Sequence, residues 1–299
     1  MRGPSQGASA GTPDKPTTRY LPDIVSRHFA PVTMPTSNTS STSSTSGPAE
    51  TSSTEPGPVQ SLERRLAAVQ AKRGYLLPHH GLLAITSPSL LAAYDQAYTA
   101  LALEMKTLSV RDRELVWLAV LIATDEVVAS HHIPKFLQGG GTVAEFEAVL
   151  RLTAVLKGST AFEFVHAHWE PHVPGFDTVR AYRTAVEASA APLSARDAWL
   201  CACSVHAACG RFEWLRQALM AAYARQVAEA DLAEALSIMM FPGSVPHFVE
   251  AARTWLELIR DAHVQASPAF ATWAALPGQG GYDEVSRRSA PQAGAPPTP

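Results

Sequence analysis

A chain of 299 residues, 46% of them hydrophobic, can bury a sizeable core, and one or two domains are expected of it. Its formal net charge of -3 offers no basic field to neutralise phosphates, which argues against nucleic acid as a partner. No apolar run has the length of a membrane span and no charged-then-apolar leader opens the chain, so a cytoplasmic address away from membranes is expected.

Residues 1–60 are rich in Ser, Thr, Pro and Gly and are expected to form a disordered tail, with only the short apolar piece at 20–25 able to dock on a surface. Ser61 opens a segment with Leu62, Leu66 and Val69 on one face, and Gly74 stops it. The pair His79 and His80 with Gly81 reads as a loop. Ser87 then caps a helix with Pro88 in its first turn and a stripe of Leu90, Leu91, Tyr94, Tyr98 and Leu101. Ser109 and Asp112 stand at capping-box spacing ahead of Leu115, Leu118 and Ile122. After a hinge at Thr124 and Asp125, another helix runs to Gly139, Gly140 and Gly141. Thr142 and Glu145 then cap a helix bearing Phe146, Val149, Leu150 and Leu156. No segment alternates in the manner of a strand, so the expected class is all-α, and residues 277–299 read as a second disordered tail.

The pentapeptide Leu108-Ser109-Val110-Arg111-Asp112 recurs 85 residues later as Leu193-Ser194-Ala195-Arg196-Asp197. The same offset carries Gly158-Ser159 onto Gly243-Ser244. One insertion brings Val143-Ala144-Glu145-Phe146 onto Glu229-Ala230-Asp231-Leu232. Matches in one order at the start, middle and end of a unit point to tandem duplication, with units at 61–172 and 173–276.

Leu108-Ser109-x-Arg111-x-x-Glu114, a helix, His132, then Gly140-Gly141-Thr142 and Glu145 together resemble the carboxymuconolactone decarboxylase family, whose fold is that of alkyl hydroperoxidase D. The likeness covers residues 81–168 well and 179–258 loosely. It implies helical units assembled around a three-fold axis, often as trimers or hexamers, with the active site near subunit contacts. If two units in one chain stand for two subunits of a six-unit ring, a homotrimer is expected. The peroxidase branch of the fold carries Cys-x-x-Cys seven and four residues ahead of the His, where this chain has Asp125 and Val128. Cys201, Cys203 and Cys209 have the wrong spacing to replace it and read as reduced, buried thiols.

Glu114 and His132 are therefore the candidate catalytic residues. They stand on consecutive helices that could pack as a hairpin, and a carboxylate beside an imidazole fixes its tautomer and raises its basicity for proton transfer near neutrality. The plainer reading makes Glu114 a first-turn acid favoured by the helix dipole and His132 a polar surface residue. Of two adjacent histidines on a helix only one faces a given pocket. His132, eight residues before Gly140, has the spacing the family uses, which leaves His131 as a surface or interface residue. The second unit has Trp199 opposite Glu114 and Gln217 opposite His132, so it reads as scaffold or pocket wall. His166, His168 and His172 are too divergent on a helix to favour a metal site. No metal and no cofactor are expected. Three functions stay open: a cofactor-independent lyase or isomerase acting on a small lactone or carbonyl acid, a non-catalytic binding or assembly protein on the same scaffold, and, least favoured, a thiol peroxidase.

Overall fold

The computed structural model describes residues 58–281, which are helical throughout with no strand among them. The expected tails lie mostly outside the described residues, and the piece at 20–25 lies wholly outside them.

The first three helices form a small layer of their own. α1 (Pro58–Arg73) ends in basic Lys72 and Arg73, which suit the negative end of the helix dipole, and Gly74 follows at φ 81°, a conformation that favours glycine. α2 (Pro78–Thr86) contains His79, His80 and Gly81 and so corrects the loop reading; Pro78 in its first turn was the start signal. α3 (Pro88–Tyr98) continues into one widened turn at Thr99–Leu103, closed by a bond from the Glu104 N–H to the Thr99 carbonyl. Val69, Ala84 and Leu91 bury one residue from each helix at a common centre.

The main core is built on α4 (Val110–Ala123) and α9 (Ala195–Ala208). α4 is buried from Arg113 to Leu121, and α9 from Asp197 to Ala208. Helices covered on every side have apolar residues all round rather than one stripe, as both sequences do. Around them pack α6 (Val143–Lys157), α8 (Thr178–Ala190), α10 (Phe212–Ala224), α11 (Glu229–Ile238) and α12 (Val245–Arg260). Short α5 (His132–Gln138) lies against α4, α7 (Ser159–His168) against α8, and α13 (Pro268–Ala275) against α12.

The caps form largely as the residue types require. Ser109 Oγ accepts from the Asp112 N–H, Ser194 Oγ accepts from the Asp197 N–H, and Thr142 and Glu145 make a full reciprocal box. Asp112 does not complete its box because its carboxylate is engaged elsewhere. Arg111 donates to Asp112 and to Asp197 at 2.7 Å each, while Arg196 donates to Asp197 at 3.0 Å and to Asp112 at 3.1 Å. Arg111 also pairs with Glu145, and Arg196 with Asp231 at 2.8 Å. The two repeated pentapeptides therefore cross-link each other by equivalent contacts where α4 and α9 begin.

The triple glycine seats α5. Gly139 packs against the first turn of α4, where a Cβ would come within 3.0 Å of Val110 and Arg111 atoms. Gly140 has φ 96°, and a Cβ on Gly141 would overlap the buried Phe136 ring.

Candidate active site

Three positions of α4 face one cavity in register. Glu114, Trp117 and Leu121 are three and four residues apart, so they share a helix face. Trp117 and Leu121 line a cavity of about 300 Å³, and Glu114 lies behind it, 0% exposed. From the start of α5, His132 reaches back so that its Nδ1–H donates to Glu114 Oε2 at 2.6 Å. His132 is 1% exposed, and Trp117 stacks on its ring with centroids 4.5 Å apart. The two sequence-predicted residues are thus brought together, buried and in direct hydrogen bond.

This geometry sets the tautomer. A carboxylate only accepts, so the proton sits on Nδ1 and Nε2 keeps its lone pair as His132 lines the cavity. Burial pushes the imidazole below its ordinary pKa of 6.5, opposed by the hydrogen bond and charge of Glu114. His132 is therefore neutral at neutral pH, with an open nitrogen. Glu114 has its nearest cation in Arg113, whose Nε is 3.8 Å away, and its second oxygen is buried without a hydrogen-bond partner.

His131 is not a surface residue. It is half-buried and lines the same cavity, its ring centroid 4.3 Å from that of His132. The expectation that only one histidine could face the pocket assumed a helix running through both. α5 begins at His132, so His131 belongs to the preceding turn and the angular argument fails there. His131 Nε2 is 3.1 Å from the Tyr75 hydroxyl and 3.2 Å from the Tyr98 hydroxyl. Burial, then the nearby His132, Lys135 and Arg73, push its pKa down to about 3.

The remaining walls come from distant segments. Tyr94 and Tyr98 of the α3 stripe, read as core, line the cavity, and His79 of α2 lies edge-on to Tyr94 at 5.0 Å. Phe241 and Pro242, between α11 and α12, close it from the far half, with Phe241 5.3 Å from Tyr94. Arg73 enters beneath the tyrosines, its guanidinium 4.4 Å from the Tyr98 ring centre, but its Nε and Nη2 are both committed to Asp95, at 3.0 and 2.8 Å. No single sequence signal joined these residues, because their order in space depends on how α1 to α3 fold over α4.

The other singled-out residues lie apart from this cavity. Trp199 is fully buried in α9 with its indole N–H on Glu187, and Gln217 meets Arg183. His166 is paired with Glu170, and the described residues contain no cluster of three His, Cys, Asp or Glu able to hold a metal. Asp125 pairs with Lys157, while Cys201 and Cys203 are buried in α9 with their thiol pKa values raised by burial. Among the described residues no helix is long and apolar enough to cross a membrane.

Another buried imidazole, absent from the sequence reading, carries a pH prediction. His206 is 0% exposed, its Nε2 accepts from the Tyr182 hydroxyl at 2.5 Å, and burial pushes its pKa down to about 3 from 6.5. An unfolded histidine gains a proton near 6.5 that the folded one refuses, so this contribution is complete above that pH and falls as pH drops toward 3. At about pH 5 the loss from this residue is on the order of 2 kcal/mol. Chemical denaturation of wild type and His206→Gln at neutral and acid pH measures it; an equal acid loss in both proteins would assign the effect to another group.

No curated protein and no solved structure matches the chain. Residues 88–167, the segment that carries both Glu114 and His132, match the model of the carboxymuconolactone decarboxylase family.

Proposed function

We propose that this protein is a cofactor-independent lyase or isomerase acting on a small lactone or carbonyl compound, with His132 as the proton-transferring group and Glu114 as its partner. The observation that carries the reading is the buried 2.6 Å bond from His132 Nδ1 to Glu114, which leaves Nε2 for the cavity. Decarboxylation of a lactone acid, or a double-bond shift beside a carbonyl, passes through a dienolate. A group that removes or returns a proton at carbon is required, and a neutral imidazole with an open nitrogen meets that need at neutral pH. None of the three cysteines lines the cavity, and the two in α9 have raised pKa values, which counts against thiol peroxidase chemistry. Turnover of a panel of unsaturated lactones, their carboxylic acids and β,γ-unsaturated carbonyl compounds, followed by the gain of conjugated-carbonyl absorbance or the release of carbon dioxide, is the direct test. No activity across the panel, with wild-type and His132→Gln protein indistinguishable, would favour the binding or assembly reading.

The same proposal includes the architecture: two copies of one unit, the first keeping the polar pair and the second serving as scaffold. The reciprocal contacts of Arg111 with Asp197 and of Arg196 with Asp112 support it, as does the matching role of Glu145 and Asp231. A homotrimer is the expected assembly. Val127, Val128, Ile133 and Leu137 are exposed on the segment that leads into and through α5, an apolar surface of the kind buried between subunits. Sedimentation of the full-length protein should give three chains per particle at micromolar concentration, and a monomer there would remove the ring argument.

A further inference from the structure

The geometry points to a second functional element in the cavity: we propose that Tyr75 and Tyr98, held by His131, form an oxyanion subsite that takes the oxygen of an uncharged, ring-sized carbonyl or enol compound. This rests on the cavity being the active site, as proposed above.

Both phenol oxygens lie within hydrogen-bond distance of the same nitrogen, Nε2 of His131. A neutral imidazole nitrogen accepts from one hydroxyl in one tautomer and, carrying the proton, from neither in the other, so at least one phenol proton is left over in both. His131 is neutral because its pKa is pushed down to about 3, and burial pushes the Tyr98 phenol up, so both hydroxyls keep their protons. The second phenol proton is left to the other tyrosine's oxygen or to whatever oxygen enters the cavity. An oxyanion is the better acceptor of the two, because hydrogen bonds to a charged oxygen are roughly twice as strong as neutral ones. His131 lies ring to ring with His132, so this donor pair stands beside the nitrogen proposed to move the proton. Charge developing on a carbonyl oxygen during that transfer would find donors already in place.

The cavity also indicates what it would accept. Its walls are mostly aromatic, with Tyr94, Trp117 and Phe241 around the tyrosine pair. The one lining cation, Arg73, already gives its fork to Asp95 and its face to Tyr98, and exposed Glu126 adds a negative charge to the lining. Within the proposed function this favours a double-bond shift in a neutral carbonyl compound over decarboxylation: a free carboxylate finds no unspent positive charge there, whereas a planar neutral ring whose single oxygen becomes anionic fits both walls and donors. His131 acts as a positioning residue, and the two tyrosines touch the ligand.

The probe is 4-nitrophenol, whose yellow anion and colourless acid report directly which form is bound. Near the probe's own pKa, adding wild-type protein should deepen the yellow, because the subsite selects the phenolate. Tyr98→Phe and Tyr75→Phe, each checked for an unchanged melting temperature, should each weaken phenolate binding by about 10-fold and return the colour toward that of free probe. Tyr75 is only half-buried, so its variant keeps the test open should Tyr98→Phe fold poorly. His131→Leu should act in the same direction, while His131→Gln, which keeps an acceptor, should restore most of the effect. Bleaching of the yellow, binding unaffected by either Phe variant, or no spectral change up to the solubility limit of the probe would each overturn the proposal. The readout needs no turnover, so the subsite and the Glu114–His132 pair can fail independently.

Discussion

Replacing His132 with glutamine is expected to lower turnover by about 100-fold or more, the range lost when a positioned acid–base group is removed. Glutamine is the informative substitution because it retains an N–H donor. Alanine would leave the carboxylate of Glu114, 0% exposed, with only Arg113 at 3.8 Å as a counter-charge. Breaking a buried pair on one side in this way costs about 3–5 kcal/mol, so His132→Ala should lose stability together with activity. The double variant His132→Ala, Glu114→Gln removes the stranded charge and should recover much of that stability while remaining inactive. A single variant as stable as the double would show that Glu114 is not charged in the folded protein.

The pairing can be read without a substrate. Glu114 raises the pKa of His132 against the larger lowering by burial, so Glu114→Gln should move the His132 titration further down. His131, shifted first by burial and feeling Glu114 only through its coupling to His132, should move less. Histidine ring signals followed by NMR across acid and neutral pH separate the two. If His132 titrates alike with and without Glu114, the carboxylate does not tune the ring and the acid–base reading fails. Activity that needs neutral His132 should hold through neutrality and fall only below the ordinary histidine range near 6.5.

The legible parts of this chain were those decided within a few residues. Ser109 and the Thr142 and Glu145 box act on N–H groups three positions away, so the residue types alone located the starts of α4 and α6. α2 was missed because Gly81 and two histidines outweighed Pro78, a weak start signal, and because packing on α1 and α3 stabilises a nine-residue helix that propensity would not. Glu114 and His132 were found because the local pattern around them matches a family, yet their contact spans 18 residues and needed the hairpin of α4 and α5 to be seen. His131 was misplaced by assuming helical periodicity across a turn. Tyr75, Tyr98 and Phe241 were unreadable as one wall, since nothing local records that α3 and the segment after α11 meet. The repeat Leu-Ser-x-Arg-Asp was noticed as a match, but its meaning as a reciprocal ion-pair box belongs to the packing of α4 on α9.

Glu234 provides the second large expected effect, because it makes α4 depend on the far half of the chain. From α11, its Oε2 accepts from the N–H of Leu108 at 2.8 Å, the N–H of Thr107 at 2.8 Å and the Thr107 hydroxyl at 2.9 Å. Leu108 is 1% exposed, so water cannot easily replace the acceptor at its N–H, and Ser109, the cap of α4, comes next in the chain. Hydrogen bonds to a charged acceptor contribute more than neutral ones, and a stranded buried N–H adds its desolvation penalty, so Glu234→Ala should cost about 3 kcal/mol. Glu234→Gln keeps one acceptor oxygen but places an amide where Oε1 now lies buried and unpartnered, so an intermediate loss is expected. Urea denaturation of the three proteins gives the ordering through midpoint shifts at constant slope. The functional consequence follows from the lever: α4 carries Glu114 and Trp117 one and two turns beyond Ser109, and a loosened first turn shifts both against His132. Under conditions where the protein remains folded, Glu234→Ala should therefore also broaden or displace the His132 ring signals, whereas a comparably destabilising change in α13, remote from α4, should not. Stability within about 0.5 kcal/mol of wild type, or an undisturbed His132 titration in a destabilised Glu234→Ala, would separate the far half from the site.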